Sequence, residues 1–437
     1  MKRLFLIATL LPLLAGAIAA QGGALGDLTS GASGGGSVPV SAPVSVSQPS
    51  GTAAAAPAAE REWLVMVFIN GVNDLGLLGA AANDINEMEA VGSSDAMAVV
   101  VEYGILSVDA ADRGLQFPRG SKTLYITRDD DAAKINSPVI FSSNDADMGS
   151  EANLVRFAKR AIRRYPAKKA MLVLWNHGDG RLGISFDDVS RNHMEIDRLG
   201  RALGQIKTAL GKNLAVFATD ACLMQMAGVA YEFKDAADVV VGSQEIIQTR
   251  GYPYTAILSR LAADPGMGPE GLGGVIVDSY IASYASDATL SAIRTAALPS
   301  FLGALHNWLG ALRSDPRAWA AATSPDTVDS VSHFDNADSK DLVDYVDKVS
   351  AAVPEGSPAR SAGAALKQMM RRGLFVHSGA RPAARKPYTA ANGLAIYVPD
   401  LRYHSANYEK FAFAADSYWD DFLRDMMEER LKRPSQP

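Results

Sequence analysis

The chain has 437 residues, 48% of them hydrophobic, and a formal net charge of -6 at neutral pH. That length can bury a sizeable core, and the mild acidity gives no electrostatic reason to expect a nucleic-acid partner, whose phosphates reward a basic surface. A single cysteine, Cys222, excludes an internal disulfide, so an exported chain of this kind must be held by its core.

Lys2 and Arg3 precede the apolar run LIATLLPLLAGAIAA, which ends in small residues. This pattern predicts a cleaved signal peptide over residues 1–20 and a secreted or periplasmic protein. No later stretch is long and apolar enough to predict a membrane span. Residues 21–59 are almost entirely Gly, Ser, Ala, Pro, Val and Gln. They carry too little bulky apolar surface to repay the entropy of ordering, so they read as a disordered linker or pro-segment. Residues 60–437 are expected to form one domain.

EREWLVMVFIN, from Glu60, reads as a buried strand. A helix should follow, with Leu77, Leu78, Ala81, Ile85 and Met88 at helical spacing and Asn73 or Asp74 as cap. MAVVVEY, from Met97, reads as a second buried strand; strand, helix, strand is a crossover unit and implies a parallel sheet. A more polar strand or hairpin passes through Lys122 to Thr127, and Ser150 should cap a helix whose apolar face is Leu154, Phe157, Ala158 and Ile162. The basic residues of that helix lie opposite the stripe and read as a solvated face.

Two further apolar blocks end abruptly in small and polar residues. Met171 to Trp175 ends in Asn176-His177-Gly178-Asp179-Gly180, and Leu214 to Ala218 ends in Thr219-Asp220-Ala221-Cys222. A buried parallel strand delivers side chains to the carboxyl edge of its sheet in this way, where open α/β sheets place their sites. The pairing suggests a thiol nucleophile, Cys222, and its imidazole base, His177. A position between a strand end and a helix N-terminus would favour the ionised sulfur. The backbone N–H groups of Gly178 and Cys222 are the candidates for an oxyanion hole.

NHGDG and DACLM, in that order with one βα unit between them, resemble the paired motifs of the clostripain family of cysteine peptidases, relatives of caspases, legumains and gingipains. WLVMVFINGVNDL, DINEM, GSQEIIQTRGYPY, GLAIYVP and YWDDFL are similar to other family segments. The resemblance implies a caspase-like three-layer α/β/α sandwich with a mostly parallel central sheet, a His177–Cys222 catalytic pair, and protein or peptide substrates. It also implies that Asp220 looks into the primary specificity pocket and selects Arg or Lys before the scissile bond. A partly buried carboxylate suits guanidinium, although Asp220 also reads as a cap of the helix after Cys222. Ser243, Gln244 and Glu245 match a segment bordering the substrate cleft, with Tyr252 and Tyr254 as possible walls.

Arg191, alone in the polar loop DDVSRNHMEI, is the candidate site of self-processing. No cofactor is required by the residues; calcium is possible but unplaced, the acidic loops at Asp129 to Asp131 and at Asp145 and Asp147 lacking a complete binding pattern. Asp187 and Asp188 could steady the loops or bind a cation, although two acids in a loop are more often merely solvated. A metal-dependent hydrolase using His177, Asp179 and Asp187, and a catalytically silent caspase-like binding module, are the rival readings. From Thr255 to Lys367 the pattern is largely helical, an elaboration over about 256–370 that includes a helix from Ser339; strands return at GLFVHSG and GLAIYVP, and a helix from Phe413 closes the chain.

Overall fold

A computed structural model describes residues 60–106, 120–382 and 390–432. The expected signal peptide and linker lie outside the described residues. The strands are β1 (Arg61–Gly71), β2 (Met97–Ile105), β3 (Ser121–Tyr125), β4 (Val139–Ser143), β5 (Ala167–Trp175), β6 (Ile184–Asp187), β7 (Asn192–Met194), β8 (Leu214–Asp220), β9 (Ala237–Gly242), β10 (Ala288–Arg294), β11 (Ser339–Asp341), β12 (Phe375–Arg381) and β13 (Ala395–Tyr397). Nine of them make one sheet, in the order β12-β10-β9-β8-β5-β1-β2-β3-β4.

The inner five strands run parallel, and two antiparallel strands flank them on each side. The parallel run expected from the sequence is therefore the centre of a mixed sheet. β1 explains the apolar blocks: Leu64, Met66 and Phe68 enter one core, while Trp63, Val65, Val67 and Ile69 enter the other. A strand covered on both faces needs apolar residues at every position, and each large one contributes about 1.5–3 kcal/mol on burial.

Helices Ala80–Glu89, Tyr254–Ala263 and Pro269–Ser283 cover the Trp63 face. Helices Glu151–Arg164, Ile196–Leu210, Ala227–Glu232, Leu298–Ser314 and Leu342–Ala351 cover the other. The result is the three-layer α/β/α sandwich expected from the sequence.

Four expectations are corrected. The region 256–370 is not helical throughout: β10 lies inside it and joins the main sheet, buried on both sides. Ser339–Asp341 is a strand paired with β13, and the helix begins only after Asp341, whose carboxylate caps it by accepting from the Asp344 N–H. The closing helix is two, Ala412–Ser417 and Trp419–Lys432, separated by Tyr418 at φ 54. Leu77 and Leu78 do not extend the apolar face of the first helix, because Gly79 turns left-handed and breaks it into Asp74–Leu77 and Ala80–Glu89.

Candidate active site

Register places the two motifs together. Trp175 at the end of β5 pairs with Asp220 at the end of β8, so His177 and Cys222 each leave the sheet two residues later on adjacent parallel strands. The two loops touch: a Cβ on Gly178 would lie 2.4 Å from the Cys222 carbonyl oxygen, an approach only glycine permits. Both residues open into one cleft of about 320 Å³, which Asp74, Trp175, Asp220, Ile247 and Gly251 also line.

Cys222 is partly buried. Its Sγ accepts from the Ile247 N–H at 3.3 Å and donates to the Ile247 carbonyl at 3.8 Å, and the Gly178 N–H also points to it. Burial pushes the thiol up, the Ile247 N–H opposes this, and the charges of Asp220 and Glu245 add to it. The helix expected directly after Cys222 starts only at Ala227, with Leu223 left-handed at φ 64 between them. The sulfur thus draws its N–H support from Ile247 and Gly178 rather than from a helix N-terminus.

His177 has a partner that sequence reasoning treated only as a helix cap. Its Nε2 lies 2.7 Å from Oδ1 of Asp74. Asn73 is the actual cap, its side chain accepting from the Leu75 N–H, and this leaves the Asp74 carboxylate for the imidazole. The signal was adjacency: β1 and β5 are sheet neighbours, so a residue just past the end of β1 lies beside one just past the end of β5. Asp188 is close by; burial and then the Asp74 charge push its carboxyl up, and His177 opposes this.

The strand-end loop is held by amides. Asn176 donates to the Asn70 carbonyl at 2.7 Å and accepts from the Phe186 N–H at 2.6 Å, while Asn70 donates to Ser185 Oγ and the Phe186 carbonyl.

Asp220 does not cap a helix. Its Oδ2 accepts from the Tyr252 N–H at 2.9 Å and the Tyr254 hydroxyl at 3.0 Å. Burial pushes its carboxyl up to about 7, against those two hydrogen bonds. Tyr252 and Tyr254 are each 1% exposed, so they back Asp220 instead of facing substrate. Ser243 and Gln244 are closed to solvent and do not line the cleft. Ser243 Oγ donates to the Glu245 carbonyl, and Gln244 bonds Asp341 and the Gly393 N–H. They are corrected from substrate contacts to struts beneath the cleft loop.

Asp187 is likewise a strut: it accepts from the N–H groups of Met148, Val189 and Ser190. Asp129 and Asp131 accept backbone N–H groups within their own loop. Among the described residues no group of three or more metal-capable side chains forms a candidate site.

The loop containing Arg191 is a tight hairpin between β6 and β7 rather than an open connection. Arg191 is exposed at φ 56. Asp147 pins both neighbours, accepting from Ser190 Oγ and Asn192 Nδ2 at 2.8 Å each.

A caspase-like sheet that delivers an imidazole and a thiol from adjacent strand ends into one cleft defines a class built for cysteine chemistry. A model of the clostripain family matches residues 67–426, and the chain belongs to that family. Clostripain from Hathewaya histolytica is 29% identical over 232 residues, 47% of this chain and 43% of that protein, so less than half of the relative's length is spanned. Two solved structures share the fold. A secreted C11 cysteine protease from Bacteroides thetaiotaomicron, solved with an irreversible peptide inhibitor, is 18% identical with a TM-score of 0.62, covering 83% of this chain and 99% of that one. An inactive zymogen C11 protease from Parabacteroides distasonis is 21% identical with a TM-score of 0.59, covering 84% and 98%.

Proposed function

We propose that this protein is a secreted or periplasmic cysteine endopeptidase that hydrolyses peptide bonds after Arg or Lys. The carrying observation is one cleft holding the Cys222 thiol, the Asp74-bonded imidazole of His177, and Asp220 at its floor. With Nε2 of His177 engaged by Asp74, Nδ1 is the ring nitrogen left for the thiol proton. Cys222 Sγ attacks the substrate carbonyl as His177 takes that proton; His177 then protonates the leaving amine, and water hydrolyses the thioester. The N–H groups of Gly178 and Cys222 receive the oxyanion. Asp74 is a positioning residue, holding the ring and balancing the imidazolium charge.

Asp220 receives the basic side chain. The mature protein starts after the leader, and chain cutting after Arg191 converts a precursor. That step requires release of the Asp147 hydrogen bonds, since a peptide must extend to enter a cleft. The family membership and the intact Cys222, His177 and Asp220 favour this reading over a catalytically silent module.

Fluorogenic peptides ending in Arg, Lys, citrulline and Ala test it. The purified protein should cleave the first two, lose activity to iodoacetamide, and lose it as Cys222→Ala or His177→Ala. Asp220→Asn should depress Arg and Lys cleavage while sparing citrulline. Undiminished turnover by Cys222→Ala sinks the thiol mechanism, and equal loss on all peptides sinks the specificity role.

A further inference from the structure

Asp84, on the helix Ala80–Glu89, is 2% exposed, and its Oδ2 accepts a 2.6 Å hydrogen bond from Nε1 of Trp175. Asp220, at the end of β8, is 3% exposed. Its Oδ2 is satisfied, but its buried Oδ1 has no hydrogen-bond partner.

The two acids converge on Gly251. A Cβ at that position would lie 2.8 and 3.2 Å from the Asp220 oxygens and 3.1 Å from Oδ2 of Asp84, on a backbone at φ 58. Gly251 lines the cleft beside Asp220, and its missing side chain lets the backbone approach the point where the two carboxylates meet. Among the described residues neither acid forms an ion pair. Two buried carboxylates without a cation cannot both ionise cheaply.

The geometry points to a two-carboxylate receptor: with the cleft empty, Asp84 and Asp220 hold one proton between them, and an incoming guanidinium or ammonium takes its place as the proton leaves to solvent. This rests on the reading of Asp220 as the residue that receives basic side chains.

The surrounding charges fit. Burial and then the Asp220 charge push Asp84 well above the usual carboxylate range, with Glu87 on the same helix adding to it and the Trp175 N–H opposing. Glu87 also raises Asp220. Arg250, beside Gly251, donates to the Ser283 carbonyl and lies over the Tyr284 ring, paired with neither acid. The phenols of Tyr252, Tyr254, Tyr280 and Tyr284 are pushed up by burial and stay protonated. Cys222, beyond Asp220, is raised by burial and by that acid, so it stays a neutral thiol and adds no charge of its own.

Benzamidine, an amidinium with no scissile bond, is titrated calorimetrically into the intact protein in buffers of different ionisation enthalpy. Binding near pH 6 should release about one proton and near pH 8.5 almost none. Asp84→Asn removes the second negative charge, so the pH at which the release is half complete should fall, and binding near pH 8.5 should weaken about tenfold. Trp175→Phe keeps both charges but removes the N–H donor to Asp84, so the release should extend to higher pH; this arm reads the pair even where Asp84→Asn fails to accumulate folded. No proton release by the wild type, or release unchanged in both variants while Asp220→Asn abolishes binding, overturns the shared receptor and leaves Asp220 as the sole acid. Undiminished binding by Asp220→Asn overturns the reading of Asp220 as well.

Discussion

The imidazole of His177 is held by Asp74, Nε2 to Oδ1 at 2.7 Å, across 103 positions of sequence. The contact exists because β1 and β5 are parallel neighbours whose carboxyl ends lie side by side. It holds the ring through Nε2.

Asp74→Asn should therefore lower kcat about 10- to 100-fold with little change in KM, because the carboxylate acts on the imidazolium formed in the transition state. Folding should be nearly indifferent, since an ion pair with both side chains well exposed contributes little. Steady-state kinetics beside thermal unfolding check this; an unchanged kcat removes Asp74 from the mechanism.

The resting thiol should react slowly. Burial, Asp220 and Glu245 all keep Cys222 protonated, so alkylation by iodoacetamide at neutral pH should lag an exposed cysteine and accelerate as pH rises. Asp220→Asn removes a neighbouring negative charge and should speed alkylation at any fixed pH near neutrality. A slower variant would contradict the electrostatic account.

Stability should fall with rising pH through the Asp84–Asp220 window. Both carboxyls bind protons more tightly folded than unfolded, so between the ordinary carboxylate range and about 7 the folded chain holds more protons, and stability present at low pH is lost across that interval. Asp84→Asn should stabilise on the order of 1–3 kcal/mol near pH 8 and much less near pH 5. Denaturant unfolding at both values measures the difference; an equal effect at both denies the coupling.

Processing after Arg191 should be slow in the wild type and faster in Asp147→Ala, because that carboxylate ties Ser190 and Asn192 on either side of the cleavage point. Mass spectrometry of time courses should find the new ends at Arg191 and Asn192, absent from Cys222→Ala and Arg191→Ala proteins. The same cut in Cys222→Ala protein would assign it to another protease.

The local sequence determined the elements whose physics is local. β1, β2, β5, β8 and β9 announce themselves as continuous apolar runs because a strand buried on both faces has no polar side to show. Their abrupt polar ends mark His177 and Cys222. The sequence did not reveal β10 among helices: ATLSAIR is a short mixed run, and its pairing with β9 on one side and β12 on the other makes it a strand. Nor did it reveal Asp74, Ile247 or Gly251 as parts of the cleft, Asp84 as the acid behind Asp220, or that Ser243 and Gln244 do not line it. Those roles come from which strands are neighbours and which loops cross their ends, contacts between residues far apart in the chain that no window of sequence contains. Tertiary structure alone decided that two acids, one from a helix and one from a strand end, meet beneath a glycine.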